Sequence, residues 1–170
     1  MELNTLANLA EIIGVLIVVG GLAFAVIQVL QFRQHRRDMA AIELARSFEK
    51  PAFGHALRLV LSLPDGVTAK ELRAKGTEYE DAAMLVSLTL ESVAIMVHRR
   101  IVSFDLVWEL MGGVIQTTWG RLCMWAEAVR EEQGQQKFDE WIQWLAVQMK
   151  RYGDETGIEP AYRQYENWRP

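Results

Sequence analysis

Cysteine is almost missing from this chain: Cys123 is the one thiol in 170 residues. No disulfide can close within it, and that fits a reducing compartment. Histidine is nearly as scarce, with His35, His55 and His98 far apart in the sequence. No Glu-x-x-His or His-x-x-x-His pair occurs, so the spacing that zinc or di-iron sites need is absent and no metal is expected. Glu91 and His98, seven residues apart on one helix face, read as a buried polar pair. Glycine-rich signatures are missing as well. There is no Gly-x-Gly-x-x-Gly, phosphate loop or Gly-x-Ser-x-Gly, and Gly112-Gly113 has no Lys and Ser or Thr to complete a phosphate site. The chain is therefore expected to have no catalytic residue and no cofactor; an enzyme would have to build its pocket around Glu91, His98 and Glu109. An excess of positive charge is absent too. The net charge is −4, which gives a nucleic acid nothing to hold. No stretch alternates in the manner of a strand, and no internal repeat is present.

The most telling absence is that of basic residues before Arg33, since all 18 Lys and Arg lie at that position or later. Glu2 and Glu11 are the only charges up to Leu30, and from Ile12 to Ile27 the chain is uninterruptedly apolar. At 1.5 Å per residue that run makes roughly 24 Å of helix, and its flanks bring it close to the roughly 30 Å of a bilayer core. The run ends in Arg33, Arg36 and Arg37, a juxtamembrane cluster that suits anionic headgroups and sets topology. Basic residues stay on the cytoplasmic side, so the N-terminus is expected outside and the rest inside. Ala23-Phe24-Ala25 looks like a signal-peptide cleavage site, but the missing basic n-region and the arginines directly after the run favour a retained span.

At 100° per residue, Ala7, Ala10, Glu11, Gly14, Val18, Gly21, Ala25 and Gln28 fall on one arc of that helix, with the bulky aliphatic residues opposite. Helices in lipid meet through small residues, with polar groups satisfied across the contact. Ala7, Ala10, Gly14, Gly21, Ala25 and Gln28 are thus expected to form a packing face, most simply against copies of the same helix. Glu11 and Gln28 are its polar members. Asn8-x-x-Glu11 has capping-box spacing near the outer interface, where the carboxylate reaches water. The rival is a pore in which Glu11 and Gln28 form rings that favour cations.

Beyond Arg33 the periodicity is helical throughout. Asp38 to Lys50 continues the first helix until Pro51 stops it, and a second helix runs from Pro51 to about Leu63 before the turn at Pro64-Asp65-Gly66. Thr68-x-x-Glu71 opens a short third helix that Gly76 closes, and Thr77-x-x-Glu80 reads as a second capping box. It opens a fourth helix, about Glu78 to Arg100, apolar almost all round. With its acidic start and basic end this helix violates the basic-inside bias as a span, and it fits the centre of a bundle. Ser103 caps a fifth helix that Gly112-Gly113 breaks or packs tightly, fraying near Gly134. A last helix, Gln135 to Tyr152, is expected to be capped by Gly153. Trp119, Trp125, Trp141 and Trp144 at helical spacing read as core. In the tail, Tyr162, Tyr165 and Trp168 lie three apart on a short helical turn, available for a partner. The divisions expected are a transmembrane anchor at 1–32, a helical stalk at 33–50, a bundle at 51–153 and a docking tail at 154–170.

Ala10-Glu11-Ile12-Ile13-Gly14 leading into the apolar run, the basic exit Arg33 to Arg37, Leu90-Glu91-Ser92, Glu109-Leu110-Met111-Gly112, Trp119, Arg130 and Trp141 together carry a likeness. The chain resembles an uncharacterised family of small bacterial proteins with one N-terminal membrane helix and an all-helical cytoplasmic domain. The resemblance implies an all-α architecture and no activity. The resulting expectation is a single-pass, non-enzymatic scaffold or accessory protein of the bacterial inner membrane, in contact with lipid. It would assemble as a homo-oligomer or on a larger membrane complex; the alternative is a homo-oligomeric cation channel.

Overall fold

The computed structural model describes residues 3–157 and 160–169, without the side chains at 3–12, 15, 33–38, 40, 41 and 47. It is all-helical, with no strand among the described residues. The chain divides into two compact units, Met1–Ile42 and Glu43–Pro170, each described here by itself.

The described residues of the first unit all belong to helix α1 (Leu3–Phe48). Among its described side chains none is buried: Leu16, Ile17, Val18, Val19, Leu22, Phe24, Val26, Ile27, Val29 and Leu30 are all exposed. Successive residues of a helix point 100° apart, so the apolar surface extends around the whole circumference.

The second unit begins with the end of α1, where Leu44 is buried, and continues through α2 (Pro51–Leu61), α3 (Ala69–Ala74), α4 (Thr77–His98), α5 (Phe104–Gln133), α6 (Glu140–Thr156) and the single turn α7 (Ala161–Gln164). Pro51 sits in the first turn of α2, where its missing N–H leaves no bond unmade. α4 is the central helix, packing along α2 and α6 and meeting α3 and α5. Ala82, Ala83, Val86, Leu90, Val93, Ala94 and Val97 are buried along it, at the three- and four-residue spacing of a core-facing stripe. Its placement inside the bundle agrees with the expectation from its apolar residues on nearly every side.

Local chemistry sets most helix ends. Thr68 and Glu71 form the expected capping box on α3, the Glu71 N–H donating to Thr68 Oγ1 at 3.2 Å and the Thr68 N–H to Glu71 Oε2 at 3.0 Å. Thr77-x-x-Glu80 forms none. α4 starts at Thr77 itself after Gly76, whose φ of 111° no L side chain favours. Glu80 is engaged instead by Arg73, which donates Nε at 3.0 Å to it and both terminal nitrogens to Glu132 on α5 at 2.9 and 2.6 Å. The loop between α2 and α3 is tied to α5: the Gly66 N–H donates to the Gly120 carbonyl at 2.8 Å and the Val67 N–H to that of Arg121 at 3.1 Å. Arg121 in turn donates to the carbonyls of Leu61 and Leu63 at the end of α2.

At Gly112-Gly113 α5 behaves as expected: it is interrupted by a kink at Met111 (φ −154°, ψ 16°) and packs tightly at Gly112. Two boundaries differ from the sequence pattern. α6 begins at Glu140 rather than Gln135, because Gly134 (φ 64°) and Asp139 (φ 55°) take left-handed conformations on either side of a turn. Gly153 lies inside α6, and Gly157 (φ 55°) is the residue past its end, so the tail beyond the last long helix starts three residues later than expected.

Trp108 explains two of these glycines. A Cβ on Gly112 would stand 3.0 Å from its Cε3, and one on Gly153 would stand 3.0 Å from its Cη2. The indole is thus wedged between α5 and α6, with the Tyr152 ring edge-on at 5.3 Å. Gly153→Val should destabilise the domain by about 2–3 kcal/mol, the upper range for overpacking. At Gly113 an added methyl meets nothing, and Gly113→Ala should stabilise by up to about 1 kcal/mol through helix propensity. Thermal melts of the two variants check this: equal shifts, or the reverse order, would contradict the wedge.

Candidate functional site

Two features carry unusual chemistry. The first is the face of α1. Gly14, Gly21, Ala25 and Gln28 are exposed, and a Cβ added at Gly14 or Gly21 would meet nothing within 4 Å. The small-residue strip is therefore open along its described length. The side chains of Ala7, Ala10, Glu11, Arg33, Arg36 and Arg37 lie outside the described residues. At the other end of the chain Tyr162, Tyr165 and Trp168 are 72%, 54% and 68% exposed, so the tail rings have no place in the core.

The second feature is a polar junction where α4, α5 and the start of α6 meet. Asp139 is buried and occupies the position preceding α6, where an aspartate usually caps its own helix. Its side chain makes no cap bond. It turns inward and accepts a hydrogen bond through Oδ2 from the Ser87 hydroxyl on α4. The cap comes from a different helix: Glu91, one turn along α4, accepts the Ile142 N–H at 2.7 Å and the Trp141 N–H at 3.1 Å. Arg130 on α5 donates Nε to the Phe138 carbonyl at 2.7 Å. Asp139 Oδ1 and Arg130 Nη2 are buried without a hydrogen-bonding partner.

Burial pushes the Asp139 carboxyl up to about 6, helped by the charge of Glu91 and opposed by the Ser87 hydroxyl and by Arg130. Burial likewise raises Glu91, against the pull of the two α6 amides. One buried carboxylate, Asp139, thus lies among a half-buried carboxylate and a half-buried guanidinium, and a proton on Asp139 is the least costly way to relieve its burial. The junction supplies a buried proton-binding site and a helix cap.

His98 plays a part that spacing did not reveal. It is exposed and lies against the rings of Trp141 and Trp144, centroids 4.5 and 5.5 Å away. It therefore does not form the buried pair expected with Glu91. Of the four tryptophans expected in the core, Trp125 is fully buried, while Trp119, Trp141 and Trp144 are half-buried. Their amphipathic rings line the surface end of the packing. Glu109 is exposed. Among the described residues no cluster of His, Cys, Asp and Glu could hold a metal ion.

An all-helical protein whose buried polar groups fasten helices to one another is the class this architecture defines. The chain belongs to the family described as Domain of unknown function (DUF4760), whose profile matches residues 15–149. The match takes in most of the apolar part of α1 and the whole Ser87, Glu91, Arg130 and Asp139 junction. No curated protein and no solved structure matches the chain.

Proposed function

We propose that this chain is a single-pass, membrane-anchored scaffold or accessory protein without enzymatic activity. It sits in the bacterial inner membrane with its helical bundle in the cytoplasm, and it assembles as a homo-oligomer or on a larger membrane complex. The observation that carries this reading is the surface of the first part of α1: large aliphatic side chains exposed in every direction are stable in hydrocarbon and costly in water. The described apolar part, Leu16–Phe32, spans roughly 25 Å. With Ile12 to Val15, apolar by sequence, it reaches roughly the 30 Å of a bilayer core. Among the described residues Thr77–His98 is the one helix that passes by length and composition as a span, and close to half of it is buried in the bundle. Its apolar residues have a core to fill, whereas those of α1 have lipid.

The test is extraction of the full chain from bacterial membranes. It should resist an alkaline carbonate wash, and Leu22→Arg, which adds roughly 3 kcal/mol to insertion at a helix centre, should release it; wild-type chain in the wash would overturn the anchor. A cysteine placed by Lys70→Cys should stay unlabelled by an impermeant maleimide in intact cells, and labelling there would overturn the orientation. Gly14→Leu with Gly21→Leu should lower the particle mass in nanodiscs if the small-residue strip holds copies together.

A further inference from the structure

A groove of about 360 Å³ opens on the second unit beside α2 and α4, lined by Lys50, Phe53, Leu85, Leu88, Ser92 and Met96 among others. Leu85 and Leu88 are exposed. The hydroxyls in the groove are already committed: Thr89 donates to the Leu85 carbonyl at 2.7 Å and Ser92 to that of Leu88 at 2.9 Å. Their protons are spent, and what they still offer an occupant is acceptor lone pairs and carbon. The groove is therefore a mainly apolar trough with one cation, Lys50, which has no carboxylate within ion-pair distance among the described residues.

The tail supplies a matching shape. The N–H groups of Arg163, Glu166 and Trp168 each donate to the carbonyl three residues earlier, at 2.8, 3.3 and 2.9 Å, and those of Gln164 and Tyr165 to the carbonyl four earlier, at 3.1 and 2.9 Å. On a turn of this mixed kind residues three apart stay within roughly a third of the circumference, which keeps Tyr162, Tyr165 and Trp168 near one side. These are the anchors of a helix-in-groove ligand, ordered before binding. Glu166 lies beside them, likewise without an ion pair among the described residues. The rings are exposed here, so the chain's own tail leaves the groove free.

We propose that the groove receives the aromatic tail of a second copy of this chain, with Glu166 of the incoming tail set against Lys50. The proposal rests on the homo-oligomeric form of the proposed function and names its contact. Area favours a reciprocal exchange. An aromatic side chain buries 150–250 Å², and at the exposures found three rings would bury roughly 400 Å², several times the surface that the groove itself exposes, so one ring enters it and the others rest on its rim. One tail gives a total of roughly 500 Å², the size of a packing contact, while two give roughly 1,000 Å², the lower limit for a specific though weak interface. Exchange of both tails also closes the assembly, so no edge is left to recruit further copies.

The experiment uses the full chain in nanodiscs with Cys123→Ser as background. One copy carries Leu88→Cys and a first tag; a co-expressed copy carries Tyr165→Cys and a second tag. Mild oxidation should give a disulfide-linked product bearing both tags, in about tenfold higher yield than with Lys70→Cys in place of Leu88→Cys, the equivalent of 1.4 kcal/mol. Glu166→Lys should reduce the yield and Lys50→Glu on the receiving copy should restore it. A bond formed only when both cysteines are in one chain would overturn the proposal in favour of the chain's own tail, and no bond in any mixture would overturn it outright. Particle mass separates the two readings: an oligomer without the cross-link removes the tail contact and leaves the scaffold, while a monomer removes both.

Discussion

Glu91→Ala should lower the stability of the helical domain by about 2–3 kcal/mol and fray the start of α6. Two N–H groups, those of Trp141 and Ile142, lose their acceptor. Hydrogen bonds to a charged group contribute roughly 1.5–3 kcal/mol each, and a lost N-cap costs about 0.5–2 kcal/mol. The sum is reduced because Glu91 is itself held partly out of water, which raises its pKa, and because its charge repels that of Asp139. Removing it relieves both. Glu91→Gln keeps one carbonyl oxygen to accept an amide and should cost about half as much. Hydrogen exchange gives the decisive readout: the Trp141 and Ile142 amides should lose protection in Glu91→Ala while the α4 core around Leu90 and Val93 keeps it. Uniform loss along both helices would mean that Glu91 fills space and does not cap.

This cap shows where sequence reasoning stops. Thr68-x-x-Glu71 is legible because both partners lie within four residues and nothing else claims them. Thr77-x-x-Glu80 has the same letters, but Arg73 draws Glu80 away, and only the fold brings Arg73 between Glu80 and Glu132. Asp139 and Ser87 stand 52 residues apart, so no local pattern connects them. The signal that was available is Glu91 itself, a carboxylate on a nearly all-apolar helix, which must find partners when that helix becomes the core. The apolar run of α1 was legible from composition alone, and so was the all-helical class, from periodicity. Gly112 and Gly153 were visible as glycines. Their cause, one indole wedged between two helices, lies in the packing of α5 on α6. α4 was legible as a central helix from its apolar residues on nearly every side, which need neighbours all round, and in the structure it meets α2, α3, α5 and α6.

Asp139→Asn should make the domain more stable at neutral pH, an uncommon direction for a change at a buried polar residue. The carboxyl titrates at about 6 in the folded chain against 3.8 for the unreacted group. A folded pKa above the unfolded one means that the folded state binds the proton more tightly. The stability this brings is fully present below pH 3.8, falls as pH rises between the two values, and is gone above about 6. At 1.36 kcal/mol per unit, the ionised form costs roughly 3 kcal/mol at neutral pH relative to the protonated one. Asparagine keeps an oxygen to accept the Ser87 hydroxyl, tolerates the left-handed backbone at this position, and removes a buried charge that the charge of Glu91 opposes. It forgoes the attraction of Arg130, so the net gain should be about 1–2 kcal/mol, or a rise in Tm of roughly 3–8 °C. The difference from wild type should appear as pH rises from about 4 to 6 and level off above, and Asp139→Ala, with neither acceptor nor left-handed preference, should gain less. A wild-type melt that stays flat against Asp139→Asn across that interval would show that Asp139 is ionised at no cost, with its second oxygen reached by water. Growth of the difference with pH would identify the junction of α4, α5 and α6 as a site where one proton sets the strength of the bundle.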